Sequence, residues 1–313
     1  MQLLYALAEL RTPFLDALLG ALTNCGGELV FMAAAIIVFW CVSKSCGYYM
    51  LTVGFVGTIV NQFLKLVFRI PRPWVKDPDF QIVESARAEA TGYSFPSGHT
   101  QNVFASFGCL GRWTKRTWLR VVCALLIVVT AFSRMYLGVH TPLDVGVSFG
   151  IGLVLVFALY PLFRDIDSHP NRLYLLFAAM AVLGAAYLLF AELWPFPADV
   201  DAANLASGRK NAYTLLGAVL GMTFAYWLDR RYVHFDVRAV WWAQVLKAVL
   251  GLAITIGLRA ALKAPLLALC GGHNVANLIR YALMVIFAAG IWPMTFGWFG
   301  RLGRKKPASG ASD

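Results

Sequence analysis

The sequence predicts an all-α fold, a bundle of helices that crosses a membrane many times. The chain has 313 residues, of which 59% are hydrophobic and only 14% are charged, and its mean hydropathy is +0.66. Soluble domains are about 45–50% apolar and about 25% charged, so a soluble fold of this composition would expose large apolar patches. Successive apolar stretches, most of them close to the length that spans a bilayer, make a polytopic membrane protein the expected class.

Nine of these apolar stretches are predicted to be membrane-spanning helices. Residues 2–24 differ, because Glu9, Arg11 and Asp16 stand there among Leu and Ala, and this pattern favours an amphipathic helix at the membrane interface. The first residues lack a basic segment, so no cleavable signal is expected. The predicted spans cover residues 28–43, 47–68, 98–113, 118–138, 141–163, 173–193, 211–228, 239–258 and 281–300.

The charge distribution predicts the orientation of the chain. The net charge is +11, which in a soluble protein would suggest nucleic acid as a partner. In a membrane protein, Lys and Arg gather instead in the short cytoplasmic loops, so no nucleic-acid partner is predicted. More of them fall on the connections that share a side with the C-terminal tail, and this side is therefore predicted to be cytoplasmic. Lys247 lies within a predicted span and should face either the protein interior or the membrane interface.

The six cysteines predict neither a disulfide framework nor a zinc site, because none of them forms a CxxC pair. Cys109 and Cys123 lie inside apolar runs and are expected to pack in the core. His273 stands beside two glycines and is expected to be a loop residue without a catalytic role.

Three polar clusters interrupt the apolar chain, all on the same predicted side of the membrane. The third cluster along the chain runs from Ser133 to Asp144. In it, Thr141 suits a helix N-cap and Pro142 suits the first helical position. Asp144 follows His140 by four residues, a spacing that allows the carboxylate to hold one imidazole nitrogen and leave the other free as a nucleophile. Taken alone, this spacing fits a helix cap beside a surface histidine equally well.

The second cluster, Pro96-Ser97-Gly98-His99, also begins a helix. Ser97 can serve as the N-cap, and backbone N–H groups at a helix start bind anions, phosphate above all. Gly98 allows the backbone to approach a ligand closely, and His99 could donate a proton to a leaving oxygen. By itself, this motif is also compatible with a simple capping turn.

The first cluster along the chain, Lys65 to Pro73, supplies positive charge. Lys65 and Arg72 are seven residues apart, about two helical turns, and Arg134 adds a third cation. Guanidinium groups match phosphate oxygens bidentately, and three cations could neutralise a phosphoryl group and its transition state. The alternative is that these residues snorkel at the membrane interface, which adequately explains Arg69.

Together the three clusters resemble the signature of the type 2 phosphatidic acid phosphatase (PAP2) superfamily. Its pattern has three parts, K-x6-RP, PSGH and SR-x5-H-x3-D, and every fixed position is present here in the same order and spacing. The matching residues are Lys65, Arg72, Pro73, Pro96, Ser97, Gly98, His99, Ser133, Arg134, His140 and Asp144.

The resemblance implies a catalytic core of about six helices, followed by about three further C-terminal membrane helices. On this basis we expect an interfacial N-terminal segment over residues 1–27, a catalytic core over 28–193 and a membrane extension with a basic cytoplasmic tail over 194–313. The resemblance also implies roles: His140 would be the nucleophile, Asp144 its orienting carboxylate and His99 the general acid. The residues implied to hold the phosphoryl oxygens are Lys65, Arg72, Ser97, Gly98 and Arg134.

The function implied is that of an integral-membrane lipid phosphatase, without metal or cofactor, acting on the outer face of a bacterial cell membrane. Phosphatidate, phosphatidylglycerol phosphate, polyprenyl diphosphate and sphingoid-base phosphate all remain open as substrates, as does the oligomeric state. A phosphotransferase that passes the phosphoryl group to an alcohol would use the same motifs. A transporter of phosphorylated solutes would need no paired His140 and Asp144, and the apolar chain argues against a soluble vanadate-dependent haloperoxidase.

Overall fold

In a computed structural model, the chain is described over residues 1–166 and 168–302. These residues form helices and connecting loops, with no strand among them, as the predicted all-α class requires. The N-terminal part and the region of the three clusters contain α1 (Gln2–Glu9), α2 (Pro13–Thr23), α3 (Glu28–Cys41), α4 (Lys44–Phe68), α5 (Pro73–Lys76), α6 (Gly98–Val103), α7 (Cys109–Trp113), α8 (Thr117–Tyr136), α9 (Pro142–Arg164) and α10 (Asn171–Leu193).

The C-terminal part continues with further helices, and the basic residues of the tail beyond residue 302 lie outside the described residues. Short π-helical stretches interrupt it after α11 and after α14. Its α-helices are α11 (Ala202–Leu228), α12 (Trp241–Ala261), α13 (Lys263–Leu269), α14 (Val275–Ile286) and α15 (Phe296–Arg301).

Six of the nine predicted spans correspond to helical segments that are long and apolar enough to cross a membrane. Within residues 1–166 and 168–302, these segments are Lys44–Lys76, Thr117–Tyr136, Pro142–Arg164, Asn171–Leu193, Trp241–Leu269 and Val275–Arg301.

The other three predicted spans are helical, but none of them is by itself both long and apolar enough to meet the same criterion. α3 has only 14 residues and so reaches about 21 Å, which is short of the roughly 30 Å hydrocarbon core. It joins the segment Pro13–Gly26 at a bend of 49°, and the two together could make one further span. The stretch 98–113 is broken by a π-helical segment, Phe104–Gly108.

The N-terminal region forms two helices where one was expected. Thr12 separates them: its backbone is extended, and its side chain accepts a hydrogen bond from Leu15 N at 3.3 Å. Pro13, at the first position of α2, disfavours helical backbone in the residue before it, which explains the break. The placement of this region at the membrane interface stays a prediction.

The last of these three predicted spans, residues 211–228, lies within the central helix α11. α11 packs against α4, α10 and α14, so much of its surface faces protein rather than lipid and need not be strongly apolar. Gly217 and Gly221, one turn apart, let α14 approach closely. A Cβ atom on Gly217 would lie 2.2 Å from the Leu278 carbonyl oxygen, and one on Gly221 would lie 2.6 Å from the Ala282 carbonyl oxygen.

Contacts between helix ends show which ends share a side of the bundle. Lys44, at the start of α4, forms an ion pair of 2.7 Å with the buried Asp229, which follows α11. Lys247 is buried in the protein interior, one of its two predicted placements, and its Nζ donates to the backbone carbonyl groups of Trp40 and Val237. The start of α4 and the ends of α3 and α11 therefore lie together, opposite the end of α4 that carries Lys65.

We predict that Gly217→Val and Gly221→Val each destabilise the protein, because the added side chain meets a backbone oxygen that cannot move without displacing α14. Overpacking of this kind costs about 1–3 kcal/mol or more, so the midpoint of thermal unfolding in detergent should fall by roughly 5 °C or more. Gly257→Val is the matched control, since a Cβ at Gly257 meets no atom of the described residues within 4 Å. Equal midpoints for all three variants would contradict close α11–α14 packing.

Candidate active site

The carboxylate of Asp144 is held at the start of α9 by two hydrogen bonds, one from Thr141 and one from Ser94. Thr141 and Asp144 form a reciprocal capping box: Thr141 N donates to Asp144 Oδ2 at 2.8 Å, and Asp144 N donates to Thr141 Oγ1 at 3.3 Å. Pro142 occupies the first helical turn, so both predictions for this cap are confirmed. The hydroxyl of Ser94 donates the second hydrogen bond that Asp144 Oδ2 accepts, at 2.6 Å.

The imidazole of His140 lies between this carboxylate and the guanidinium of Arg72. Its Nδ1 is 3.4 Å from Asp144 Oδ2, and its Nε2 is 2.9 Å from Arg72 Nη1. A guanidinium group can only donate hydrogen bonds, so Nε2 must be the acceptor and carry a lone pair. The proton of the neutral ring then sits on Nδ1, facing the carboxylate.

Burial and neighbouring charges favour this neutral form. His140 is almost completely buried, and burial is the main cause that places its pKa well below the ordinary value for histidine. The positive charges of Arg72, Arg134 and Lys65 lower this pKa further. The ring is therefore a neutral imidazole at neutral pH, the form in which a histidine nitrogen can act as a nucleophile.

Arg72 is fixed by backbone carbonyl groups of the loop that follows α5. Its Nε donates to Gly92 O at 3.0 Å and its Nη2 to Thr91 O at 2.6 Å. Nη1 also donates to Val139 O at 3.0 Å, beside its contact with His140. The guanidinium thus joins the loop to the residue before His140 and contacts Nε2 of the His140 ring.

Lys65 completes this side of the site from the last turn of α4. Its Nζ donates to the Tyr93 carbonyl oxygen, one residue beyond the loop carbonyls that hold Arg72. Both cations are buried and rest on carbonyl oxygens, whose partial negative charge replaces part of the hydration that the cations lose.

The second cluster begins α6, as predicted. Ser97 is the N-cap, and its hydroxyl accepts hydrogen bonds from Thr100 N at 3.4 Å and Thr100 Oγ1 at 3.0 Å. Ser97 N donates to the Asp144 carbonyl oxygen at 3.1 Å, which joins the starts of α6 and α9. His99 follows, with its Nε2 3.6 Å from the Glu89 carboxylate.

Arg134 lies behind the site and is completely buried. Its Nη1 donates to Thr23 Oγ1 at 3.0 Å, so the cation also binds the N-terminal region to α8. Within the described residues, its Nε and Nη2 have no hydrogen-bond partner.

A cavity of about 320 Å³ opens in front of these groups. Five of the eight predicted site residues line it: Lys65, Arg72, Gly98, His99 and His140. Ser97, Arg134 and Asp144 do not line it, and all three are buried behind the cavity wall.

The cavity also has polar walls that the sequence motifs did not indicate. Asn61, Gln62 and Gln101 line it, as does Asn211, which comes from α11 and donates to Gln62 Oε1 at 3.1 Å. In the sequence, only their closeness to the motif residues could have indicated that they line the cavity. Asn61 stands one helical turn before Lys65, and Gln101 stands two residues after His99. Among the described residues, no group of three or more His, Cys, Asp or Glu side chains is placed to hold a metal ion.

Two family models match the chain. Residues 44–167 match the model described as PAP2 superfamily, and residues 213–305 match the one described as PAP2 superfamily phosphatase, transmembrane extension. The first range contains all three polar clusters, and the second contains most of the C-terminal membrane helices.

Several curated proteins are similar to the chain. Undecaprenyl-diphosphatase BcrC of Bacillus subtilis is 34% identical over 108 residues, which cover 34% of this chain and 52% of that protein. Phosphatidylglycerophosphatase B of the same species is 24% identical, over 47% of this chain and 75% of that protein. Dihydrosphingosine 1-phosphate phosphatase YSR3 of Saccharomyces cerevisiae is 21% identical, over 71% of this chain and 55% of that protein.

The chain thus spans about half the length of two of these three relatives. No solved structure matches it.

We predict that Ser94→Ala destabilises the protein, because the buried Asp144 carboxylate loses a hydrogen-bond donor. Such a loss at a buried charged group costs about 1–3 kcal/mol, measured as a lower midpoint of thermal unfolding in detergent. Ser106→Ala is the matched control: Ser106 is equally buried, but its hydroxyl has no partner among the described residues. A shift of the same size in both variants would show that the Ser94 hydrogen bond contributes nothing specific.

Proposed function

We propose, from its membership of the PAP2 superfamily, that this chain is an integral-membrane phosphatase that hydrolyses a lipid phosphate or lipid pyrophosphate. The observation that carries the proposal is the neutral His140, whose Nε2 lone pair lies in a cavity lined by Lys65 and Arg72. A nucleophilic nitrogen beside two cations is the arrangement that transfer of an anionic phosphoryl group requires.

In the first step we propose, Nε2 of His140 attacks the phosphorus atom. The bond from phosphorus to the leaving oxygen breaks. His99 carries a proton once the negative charge of the bound phosphate offsets the nearby cations Arg134, Arg72 and Lys65, and it gives this proton to the leaving oxygen. In the second step His99 takes a proton from water, the water oxygen attacks phosphorus, and the bond from phosphorus to Nε2 breaks. Inorganic phosphate leaves, and His140 is neutral again. Asp144 stabilises the positive charge that the ring carries in the phosphohistidine intermediate.

The cations support both steps. Arg72 Nη1 occupies the Nε2 lone pair in this structure, so a bound phosphate must draw that N–H group onto its own oxygen before the nitrogen can attack. Lys65, the free donors of Arg134 and the backbone N–H of Gly98 at the start of α6 are proposed to hold the other oxygens. No step of this mechanism uses a metal ion or a cofactor.

Three substrate types enter as candidates through the names of the relatives: a polyprenyl diphosphate, a phosphatidylglycerol phosphate and a sphingoid-base phosphate. A phosphotransferase remains the second candidate, because an alcohol could take the place of water in the second step.

Phosphate release from a panel of purified lipid phosphates in detergent with excess EDTA tests the proposal, and an added alcohol acceptor separates the two activities. Turnover that requires added Mg²⁺ or Zn²⁺ would contradict the metal-free mechanism.

We predict that His140→Ala reduces turnover to below roughly one thousandth of wild type, because the covalent step is lost. Asp144→Asn should be less severe, since the ring remains but loses its orientation and charge support. Phosphate release from the best substrate of the panel is the measurement, with the thermal midpoint as a check on folding. His273→Ala, an exposed histidine outside the cavity, should retain wild-type activity. More than a tenth of the activity in His140→Ala would exclude this nucleophile.

We also propose that the site lies at the outer face of a bacterial cell membrane. The residues that follow α4, the start of α6 and the segment between α8 and α9 lie together, because Arg72 contacts His140 and Ser97 N donates to the Asp144 carbonyl oxygen. The basic connection between α7 and α8 stands at the opposite end of the 20-residue α8. Short basic loops favour the cytoplasm. The substrate would then be a lipid of the outer leaflet.

We predict that Asp79→Cys reacts with a membrane-impermeant thiol reagent in intact cells, and that Lys115→Cys reacts only after the cells are permeabilised. Both residues are exposed, so accessibility within the fold does not distinguish them. The variants are made in a background without the six native cysteines. The opposite labelling pattern would move the site, and its substrate, to the cytoplasmic leaflet.

A further inference from the structure

Two buried carboxamides in the cavity wall have no hydrogen-bond partner in the part of the chain that the structure describes. Asn61 is 2% exposed and Gln101 is 1% exposed, and both line the cavity that holds His140. The nitrogen and the oxygen of each carboxamide are all unpaired. Leaving a buried polar group unpaired costs about 1–3 kcal/mol, so four such atoms in one cavity indicate that a ligand completes them.

The two carboxamides are adjacent to the phosphate-binding groups. Gly57, Asn61 and Lys65 are spaced four residues apart on α4 and therefore share one face of the helix. The Gln101 carboxamide lies against this face, because a Cβ atom on Gly57 would be only 2.1 Å from Gln101 Nε2. Residues one turn apart have Cβ atoms about 5–6 Å apart, so Asn61 reaches the atoms that neighbour a phosphate bound by Lys65.

The chemistry of the unpaired atoms selects the group that they can bind. Two are donors and two are acceptors. An ionised phosphate offers only acceptors, so it would pair with the two NH2 groups and leave both carbonyl oxygens facing an anion. A hydroxyl group both donates and accepts, and it can pair with either end of a carboxamide. The carboxylates of Glu28 and Glu89 also face the cavity and disfavour negative charge beyond that of one phosphate.

We infer that Asn61 and Gln101 bind a free hydroxyl group that the substrate carries close to its phosphate ester. The inference rests on the proposed phosphatase function and narrows its substrate class. It selects phosphate monoesters of hydroxyl-bearing lipid alcohols, and it disfavours polyprenyl diphosphates, which have no hydroxyl group. Asn61 and Gln101 are thus residues that determine specificity, and the transfer step itself belongs to His140 and His99.

The test compares two lipids that differ in one hydroxyl group, 1-oleoyl-glycerol 3-phosphate and 3-(oleoyloxy)propyl phosphate, with farnesyl diphosphate as a third substrate. The wild type should hydrolyse the hydroxyl-bearing lipid with a kcat/KM roughly ten- to a hundredfold above that of its deoxy analogue, because the analogue leaves the carboxamides unpaired. Farnesyl diphosphate should be slower than the hydroxyl-bearing lipid. Equal rates for the matched pair, or faster turnover of farnesyl diphosphate, would overturn the inference and leave the phosphatase function standing.

Asn61→Leu and Gln101→Met remove the hydrogen-bonding atoms and keep similar side-chain volumes. Each should bring the ratio of the two kcat/KM values close to one, mainly by slowing the hydroxyl-bearing lipid. Gly57→Ala should lower the ratio as well, because its methyl group displaces the Gln101 carboxamide. Gln244→Met, a part-buried carboxamide outside the cavity, should leave the ratio unchanged.

A parallel loss of activity on both lipids, with the ratio unchanged, would show a purely structural role and overturn the inference. A wild-type protein that releases phosphate from none of the three substrates, nor from the wider panel of lipid phosphates, would instead contradict the proposed function itself.

Discussion

The hydrogen bonds around the buried Asp144 carboxylate hold the site together. One oxygen caps α9, receives the Ser94 hydroxyl and faces His140. The backbone carbonyl of the same residue accepts a hydrogen bond from Ser97, which begins α6. A single residue therefore fixes the positions of two helix starts and one end of the loop between α5 and α6. Since the histidines of the site stand at these helix starts, their separation depends on it.

The second constraint is the burial of three cations near one histidine. Buried positive charges repel each other, and the structure offsets this with oriented carbonyl groups in addition to the nearby carboxylates of Asp144 and Glu89. Arg72 rests on Thr91, Gly92 and Val139, and Lys65 rests on Tyr93. A carbonyl dipole reduces the cost of desolvation without cancelling the charge, so the cavity keeps a positive potential toward an anion.

Local spacing explains why much of the site could be predicted from the sequence. The caps at Ser97 and Thr141 and the approach of His140 to Asp144 are relationships within three or four residues, which helix geometry determines. The carbonyl partners of Arg72 depend on the path of a loop about twenty residues away, and the contribution of Asn211 depends on the packing of α11; neither has a local signal. Three predicted spans do not qualify on their own for physical reasons that the sequence shows only in part. α3 and the helical stretch 98–113 are short, and α11 is long but faces protein on much of its surface.

The cavity wall crosses the boundary between the two parts of the chain that the family models recognise. Thr214 and Leu215 belong to the matched extension, Lys65 and His140 belong to the matched core, and Asn211 lies in neither range. The boundary between the two matched ranges therefore does not coincide with the boundary of the cavity, whose walls come from both parts. A lineage that gained, lost or exchanged its extension would have replaced one wall of the cavity in the same event, so new substrate preferences could arise while every residue of the three motifs stayed the same.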